Sequence, residues 1–183
     1  MTHSVTSDPA EAEALSCLEQ GTQKLEEGDI EGAKTLYQRS VEIKRTPSSL
    51  FNLGVTYYHS KDFDAAIEAW KECIAISPNS ADAHTNLASA YILTPKSPQP
   101  DLALHHLQIA SDLVPEDPEI AFNLAAVLEA NATGGYLERA LEHYKRAEKY
   151  GVKKAAMHIR NISAKILGQK IKEDGKVPDE NGF

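Results

Sequence analysis

The sequence predicts an all-α fold built of repeated antiparallel helix pairs, and three observations support this prediction. Small residues and large apolar residues recur at the same offsets along most of the chain, which is the signature of an internal repeat. Within each copy the apolar residues return at helical spacing. Proline, glycine and helix-capping residues separate the copies. We therefore expect about four helix pairs followed by one capping helix.

The clearest copy of the repeat occupies residues 50–78, and its key positions are Leu53-Gly54, Tyr57, Ala66, Trp70 and Pro78. This order resembles the tetratricopeptide repeat, a unit of about 34 residues. The same offsets recur in three further copies, at Gly21, Ala33 and Tyr37; at Leu87-Ala88, Tyr91, Ala103 and Leu107; and at Leu124-Ala125, Leu128, Ala140 and Tyr144. The resemblance covers residues 10–170 and implies a right-handed α-solenoid.

Domain boundaries follow from the repeat register. We expect a flexible N-terminus at 1–8, a solenoid over 9–170 and a disordered tail at 171–183. The repeats are placed at about 14–46, 47–80, 81–117 and 118–152, with a capping helix at 153–170. Individual helices are predicted at 9–27, 30–45, 48–60, 63–76, 81–93, 101–113, 118–131, 136–149 and 153–170. The candidate N-caps are Ser7 or Asp8 for the first helix, and Asp62, Ser80 and Asp117 for later helices.

The charge distribution narrows the choice of partner. The net charge is −8, but residues 1–144 carry 9 Lys/Arg against 22 Asp/Glu, whereas residues 145–183 carry 10 against 5. An acidic body disfavours nucleic acid as the main ligand, because phosphate binding requires basic residues. We expect a neutral or basic partner. A second hypothesis is that Lys170, Lys172 and Lys176 fold back onto an acidic groove and compete with the ligand.

The chemistry-bearing residues favour a binding protein over an enzyme. The seven histidines form no HExxH pattern, and the chain has no phosphate-binding glycine loop. Cys17 and Cys73 have no metal-ligand spacing, and two isolated thiols favour a reducing compartment. We therefore predict no catalytic residues, no metal and no cofactor. The expected location is the cytoplasm, with the nucleus as the alternative, and no run is long enough to span a membrane.

In the tetratricopeptide family the first helix of each pair lines a concave groove. The resemblance places Asn52, Asn86 and Asn123 there, and an asparagine amide can both donate to and accept from the backbone of a bound peptide. The other interpretation is that these asparagines order the helix pair. The neighbouring groove positions are Phe51, Val55, Tyr58, His59, Asp82, Ser89, Glu119, Phe122 and Glu129. Phe51, Tyr58 and Phe122 are the candidate aromatic anchors, although partial burial between helices explains each of them equally well.

One branch of the family binds C-terminal carboxylates through Lys, Asn and Arg side chains. At the required positions this sequence has Asp82 and Asn86 in place of cations, so we predict no carboxylate clamp. The expected function is a protein-interaction module that holds a neutral-to-basic polypeptide segment in its groove, as an adaptor or dedicated cochaperone. The alternative is a self-associating scaffold subunit of a larger complex.

Overall fold

The computed structural model describes residues 8–95, 97–131 and 135–174, and within these residues every regular element is an α-helix. The helices are α1 (Pro9–Glu26), α2 (Ile30–Ile43), α3 (Pro47–His59), α4 (Phe63–Ile76), α5 (Ala81–Leu93), α6 (Pro100–Leu113), α7 (Pro118–Ala130), α8 (Tyr136–Lys149) and α9 (Ala155–Asp174). The predicted all-α class is confirmed, and each of the nine predicted helices has a counterpart among the described residues. Eight of the helices begin and end within two residues of their predicted bounds.

The ninth helix differs most from its prediction. It begins at Ala155 rather than 153 and continues to Asp174, so residues 171–174, which we assigned to the disordered tail, are helical. The apolar periodicity that we ended at 170 continues through Ile171, and residues 171–174 contain neither glycine nor proline. Lys170 and Lys172 therefore lie on α9, whereas Lys176 and the rest of the predicted tail lie outside the described residues.

The chain forms two compact units, Met1–Ala110 and Ser111–Phe183. In the first unit, consecutive helices from α1 to α5 pack on one another, and α3 also contacts α5. In the second unit α7 packs on α8 and α8 packs on α9. Each unit thus contains the stacked helix pairs that the repeat register predicts.

Small residues lie at the helix crossings and large residues fill the space beside them. Ala66, Ala103 and Ala140 are fully buried, as are the aromatic rings of Tyr37, Trp70 and Tyr144. A Cβ atom added to Gly54 would collide with the indole of Trp70, and one added to Gly21 would lie 2.7 Å from Cε1 of Tyr37. These glycines are therefore required for the close approach of the two helices in a pair.

The helix starts agree with the capping prediction. The side chains of Asp8, Asp62, Ser80 and Asp117 each accept a hydrogen bond from a backbone N–H in the first turn of the following helix. The sequence analysis did not predict the cap at Thr46, whose hydroxyl accepts from Ser49 N at 3.1 Å while Ser49 Oγ accepts from Thr46 N at 3.1 Å. This reciprocal pair fixes the start of α3, where the candidate site begins.

Candidate functional site

The first unit contains a cleft that brings together three of the predicted groove residues. This cleft, which we call the α3–α5 cleft, has a volume of about 320 Å³. Its lining comprises Pro47, Ser48, Phe51, Asn52, Cys73, Ser77, Ser80 and Asp82. Phe51 and Asn52 are contributed by α3 and Asp82 by the first turn of α5. An aromatic ring, an amide and a carboxylate thus face one space.

Two hydrogen bonds from side chains of α4 fix the position of α3 in this cleft. Trp70 Nε1–H donates a hydrogen bond of 3.1 Å to the carbonyl oxygen of Phe51, and the Cys73 thiol donates one of 3.3 Å to the carbonyl oxygen of Pro47. Trp70 and Cys73 are both 1% exposed. Burial raises the pKa of the Cys73 thiol, which lowers the fraction of reactive thiolate at neutral pH.

The electrostatics of the α3–α5 cleft are set by Asp82. Its side chain is exposed, and it forms no ion pair with any residue in the part of the chain that the structure describes. Asp82 occupies the first turn of α5, where a carboxylate also stabilises the helix N-terminus. The free carboxylate nonetheless leaves the cleft with a negative charge available to a ligand.

The other predicted positions of the first unit extend the same two helices. Val55, Tyr58 and His59 continue along α3, and Asn86 and Ser89 continue along α5. Tyr58 packs against Phe63 and Trp70, with ring centroids 5.5 and 5.9 Å apart. Tyr58 is therefore partly buried between the two helices of its pair, which is the alternative interpretation that we gave for the aromatic anchors. Asn86 is half-buried and Ser89 Oγ donates to the carbonyl oxygen of Thr85 at 3.1 Å.

In the second unit, side chains from α8, α9 and the turn before α9 occupy the predicted groove positions on α7. Lys154 Nζ lies 3.6 Å from Glu119 Oε2 and 4.1 Å from the centroid of the Phe122 ring. Phe122 also packs edge-on against Tyr144 and His158. Asn123, the next residue of α7, is half-buried. Phe122 thus already has aromatic and cationic partners within its own unit.

Glu129 joins three elements of the second unit. Its Oε2 accepts hydrogen bonds of 3.0 Å from the Tyr144 hydroxyl and from His158 Nδ1, and its Oε1 accepts one of 3.0 Å from Lys165 Nζ. Burial alone would raise the pKa of Glu129, but the bonds from Lys165, His158 and Tyr144 together lower it. Burial and the adjacent carboxylate raise the pKa of Tyr144. Lys154 and Lys165 are both more than half exposed, and each also forms an ion pair with a carboxylate of α7.

A pair of histidines lies inside the third repeat. His84 Nε2 is 3.0 Å from the carbonyl oxygen of Pro78 and must donate to it, which leaves His84 Nδ1 as an acceptor. His106 Nδ1 lies 2.9 Å from that atom and therefore donates. Burial, followed by the proximity of His84 and His105, lowers the pKa of His106 to about 4.

The sequence analysis missed the residues at the helix ends that complete the α3–α5 cleft. Ser77 follows α4, Ser80 precedes α5 and Pro47 begins α3, so the cleft lies where three helix ends meet. The repeat register gave only the concave positions within helices. The capping signals that we had noted at Ser80 identified one of these ends, but no sequence signal showed that they surround a cavity.

Among the described residues no group of three or more His, Cys, Asp or Glu side chains is arranged to hold a metal ion. Within the same residues, no helix is long and apolar enough to cross a membrane.

Comparisons with known proteins identify the repeat. A sequence profile of the TPR repeat matches residues 56–93, which include the end of α3, all of α4 and all of α5. The chain is a tetratricopeptide-repeat protein. The copies before and after residues 56–93 share its register, and the helix pairs of both units agree with it.

Two curated tetratricopeptide-repeat relatives are similar over much of this chain. The TPR repeat-containing protein MJ1428 of Methanocaldococcus jannaschii is 30% identical over 151 residues, which cover 80% of this chain and 24% of that protein. The anaphase-promoting complex subunit cut9 of Schizosaccharomyces pombe is 29% identical over 122 residues, covering 63% of this chain and 18% of that subunit. The chain thus spans less than a quarter of the length of either relative.

The tetratricopeptide fold is also found in solved structures. The crystal structure of YrrB, described as a TPR protein with an unusual peptide-binding site, superimposes with a TM-score of 0.72. The two sequences are 19% identical, and the match covers 89% of this chain and 79% of YrrB. At this identity the likeness shows the helical-repeat solenoid fold, which confirms the predicted fold class.

Proposed function

We propose that this tetratricopeptide-repeat protein is a non-enzymatic interaction module that holds a neutral-to-basic polypeptide segment against α3 and α5. The observation that carries the proposal is the α3–α5 cleft, in which the unpaired carboxylate of Asp82 shares one cavity with Phe51 and Asn52. The role that fits this surface is that of an adaptor or dedicated cochaperone in the cytoplasm, with the nucleus as the second candidate compartment.

Each lining residue has a distinct contact to offer a ligand. Phe51 has a half-buried ring, and the face of this ring can contact the aliphatic part of a side chain or a cation. The Asn52 amide can donate to and accept from an extended backbone. Asp82 can accept a charge-assisted hydrogen bond from Lys or Arg. A segment with a long basic side chain satisfies all three contacts, and no carboxylate clamp is expected because Asp82 would repel an anion.

The relatives support a polypeptide as the ligand. The name of YrrB records a peptide-binding site, and that of cut9 records a subunit of a complex. The second of these favours a second candidate function, in which the chain is a self-associating scaffold subunit of a larger assembly. Light scattering over a range of protein concentrations distinguishes the two, because a scaffold gains mass with concentration and a monomeric receptor does not.

Isothermal titration with three peptides tests the proposed function. The peptides have one length and one apolar pattern, and carry Lys, Ser or Glu at the same positions. We expect the Lys peptide to bind at least as well as the Ser peptide and about tenfold more tightly than the Glu peptide. Asn52→Ala should weaken binding of the Lys and Ser peptides, whereas Asn161→Ala, at an exposed asparagine of the second unit, should not. A preference for the Glu peptide would remove the proposal.

A further inference from the structure

Helix α9 is apolar on two opposite faces. One face packs into the second unit through Ala155, Ile162 and Ile166. The opposite face carries Met157, Leu167 and Ile171, which are 57%, 60% and 63% exposed and are the three most exposed large apolar side chains among the described residues. With Ala164 between them, these residues recur at helical spacing and form one stripe. We call these four residues the α9 stripe.

A cleft lies beside the α9 stripe. Its volume is about 410 Å³, and its lining comprises Leu137 of α8 with Ala164, Lys165, Gly168, Gln169 and Lys172 of α9. A Cβ atom added to Gly168 would meet nothing within 4 Å. Ala164 and Gly168 are one helical turn apart, and their small side chains leave the α9 backbone open to close approach by another helix.

The charge of α9 selects the kind of occupant. The helix contains Arg160, Lys165, Lys170 and Lys172, and its two carboxylates, Glu173 and Asp174, are its last two residues. Lys165 is paired with Glu129, whereas the other three cations form no ion pair with any residue that the structure describes. Packing of two α9 stripes against each other would bring these cations together, which is unfavourable. A helix with Asp or Glu beside its apolar face is complementary.

We propose that the α9 stripe and its cleft bind an amphipathic helix of a partner protein whose apolar face is flanked by acidic residues. The partner's apolar side chains cover Met157, Leu167 and Ile171, one of them enters the cleft beside Leu137, and its carboxylates pair with Arg160 and Lys172. A cleft of about 410 Å³ accommodates a protruding side chain, which the flat surface of a bilayer does not provide. This site is separate from the α3–α5 cleft and takes a partner of opposite charge.

Fluorescence anisotropy of the full chain with labelled model helices tests this site. The probe is a peptide of about 20 residues with Leu on one helical face and Glu on both flanks, and its matched control carries Lys in place of Glu. We expect the Glu helix to bind at least about tenfold more tightly than the Lys helix. The double variant Leu167→Gln/Ile171→Gln should lose binding by a similar factor with an unchanged Tm. Leu15→Gln, at a 53% exposed leucine on α1, should leave it unaltered.

Three results would overturn the proposal. The first is affinity for the Glu helix that the double variant does not reduce. The second is a wild-type dimer in sedimentation that the double variant dissociates, which would assign the α9 stripe to a second copy of the chain. The third is binding to phosphatidylserine vesicles that the double variant abolishes, without any preference between the two helices.

Discussion

The Tyr144 hydroxyl donates a hydrogen bond of 3.0 Å to the Glu129 carboxylate, joining the second helix of the last pair to its first. His158 and Lys165 of α9 bind the same carboxylate. Glu129 is therefore the point at which the capping helix is attached to the repeat, and its side chain is only 18% exposed.

Substitution of Glu129 tests this attachment. Because the carboxylate accepts from a tyrosine, a histidine and a lysine, Glu129→Gln should reduce the free energy of unfolding of the second unit by about 1–3 kcal/mol at pH 7. Tyr144→Phe, which removes one donor only, should cost less. Urea unfolding followed by far-UV circular dichroism measures both effects. Equal stability of Glu129→Gln and the wild type would contradict the structural role of Glu129.

The same variant predicts a pH dependence. The pKa of Glu129 is lowered from its ordinary value of 4.5 in the folded state, so its carboxylate stabilises the protein above that pH and loses this effect as pH falls through the lowered value. The difference between wild type and Glu129→Gln should therefore be full at neutral pH and shrink below pH 4.5. A difference that stays constant in acid would show that Glu129 acts by shape alone.

The histidine pair of His84 and His106 predicts a second loss of stability in acid, in the other unit of the chain. His106 has its pKa lowered from 6.5 to about 4, so the unfolded chain binds a proton there before the folded chain does. The first unit should then lose stability as pH falls from 6.5 towards 4, by at most about 3 kcal/mol. Trp70, the only tryptophan, reports unfolding of this unit by fluorescence. His106→Leu should flatten the profile, whereas substitution of the exposed His105 by Gln should not.

The need for glycine at the crossing of α3 and α4 can be tested by adding one methyl group. Gly54→Ala places a Cβ against the buried Trp70 indole and should destabilise the first unit by about 1–3 kcal/mol. Gly168→Ala is the matched control, because it also lies in a helix but faces open space. It should raise stability by about 0.5–1 kcal/mol. Thermal unfolding compares the two, and a neutral Gly54→Ala would show that the crossing has room to spare.

The two cysteines should differ in reactivity. Cys73 is 1% exposed and burial raises the pKa of its thiol, whereas Cys17 is half-buried on α1. A thiol reagent at mildly alkaline pH should label Cys17 first. The variant Cys17→Ser should then remain unlabelled until denaturant is added, and rapid labelling of this variant would show that the α3–α5 cleft opens around Cys73.

The fold could be predicted from the sequence because its determinants are local and repeated. Each copy has small residues at the positions of Gly54 and Ala66 and a large apolar residue at the position of Trp70. Proline and capping residues mark the helix ends. Prediction failed at the end of α9, because lysine-rich composition concealed a periodicity that continued through Ile171. A charged helical turn and a charged tail have similar compositions, and only the spacing of the isoleucines separates them.

The candidate site was less predictable than the fold. The register placed Phe51, Asn52 and Asp82 in a common groove, and these three residues do line one cleft. It could not show that Lys154 and His158 would contact Phe122, because such contacts depend on how the capping helix packs. Side-chain partners between elements distant in sequence are set by tertiary geometry, which a repeat pattern does not specify.

A charge-exchange experiment at Asp82 tests the central claim most directly, with binding of the Lys and Glu peptides measured by isothermal titration. Asp82→Lys should lower the affinity for the Lys peptide by about tenfold or more and raise the affinity for the Glu peptide. Asp64→Lys is the matched control, since Asp64 is likewise an exposed acid in the first turn of a helix, and it should change neither affinity. If Asp82→Lys left both affinities as they are in the wild type, the α3–α5 cleft would not be the binding site.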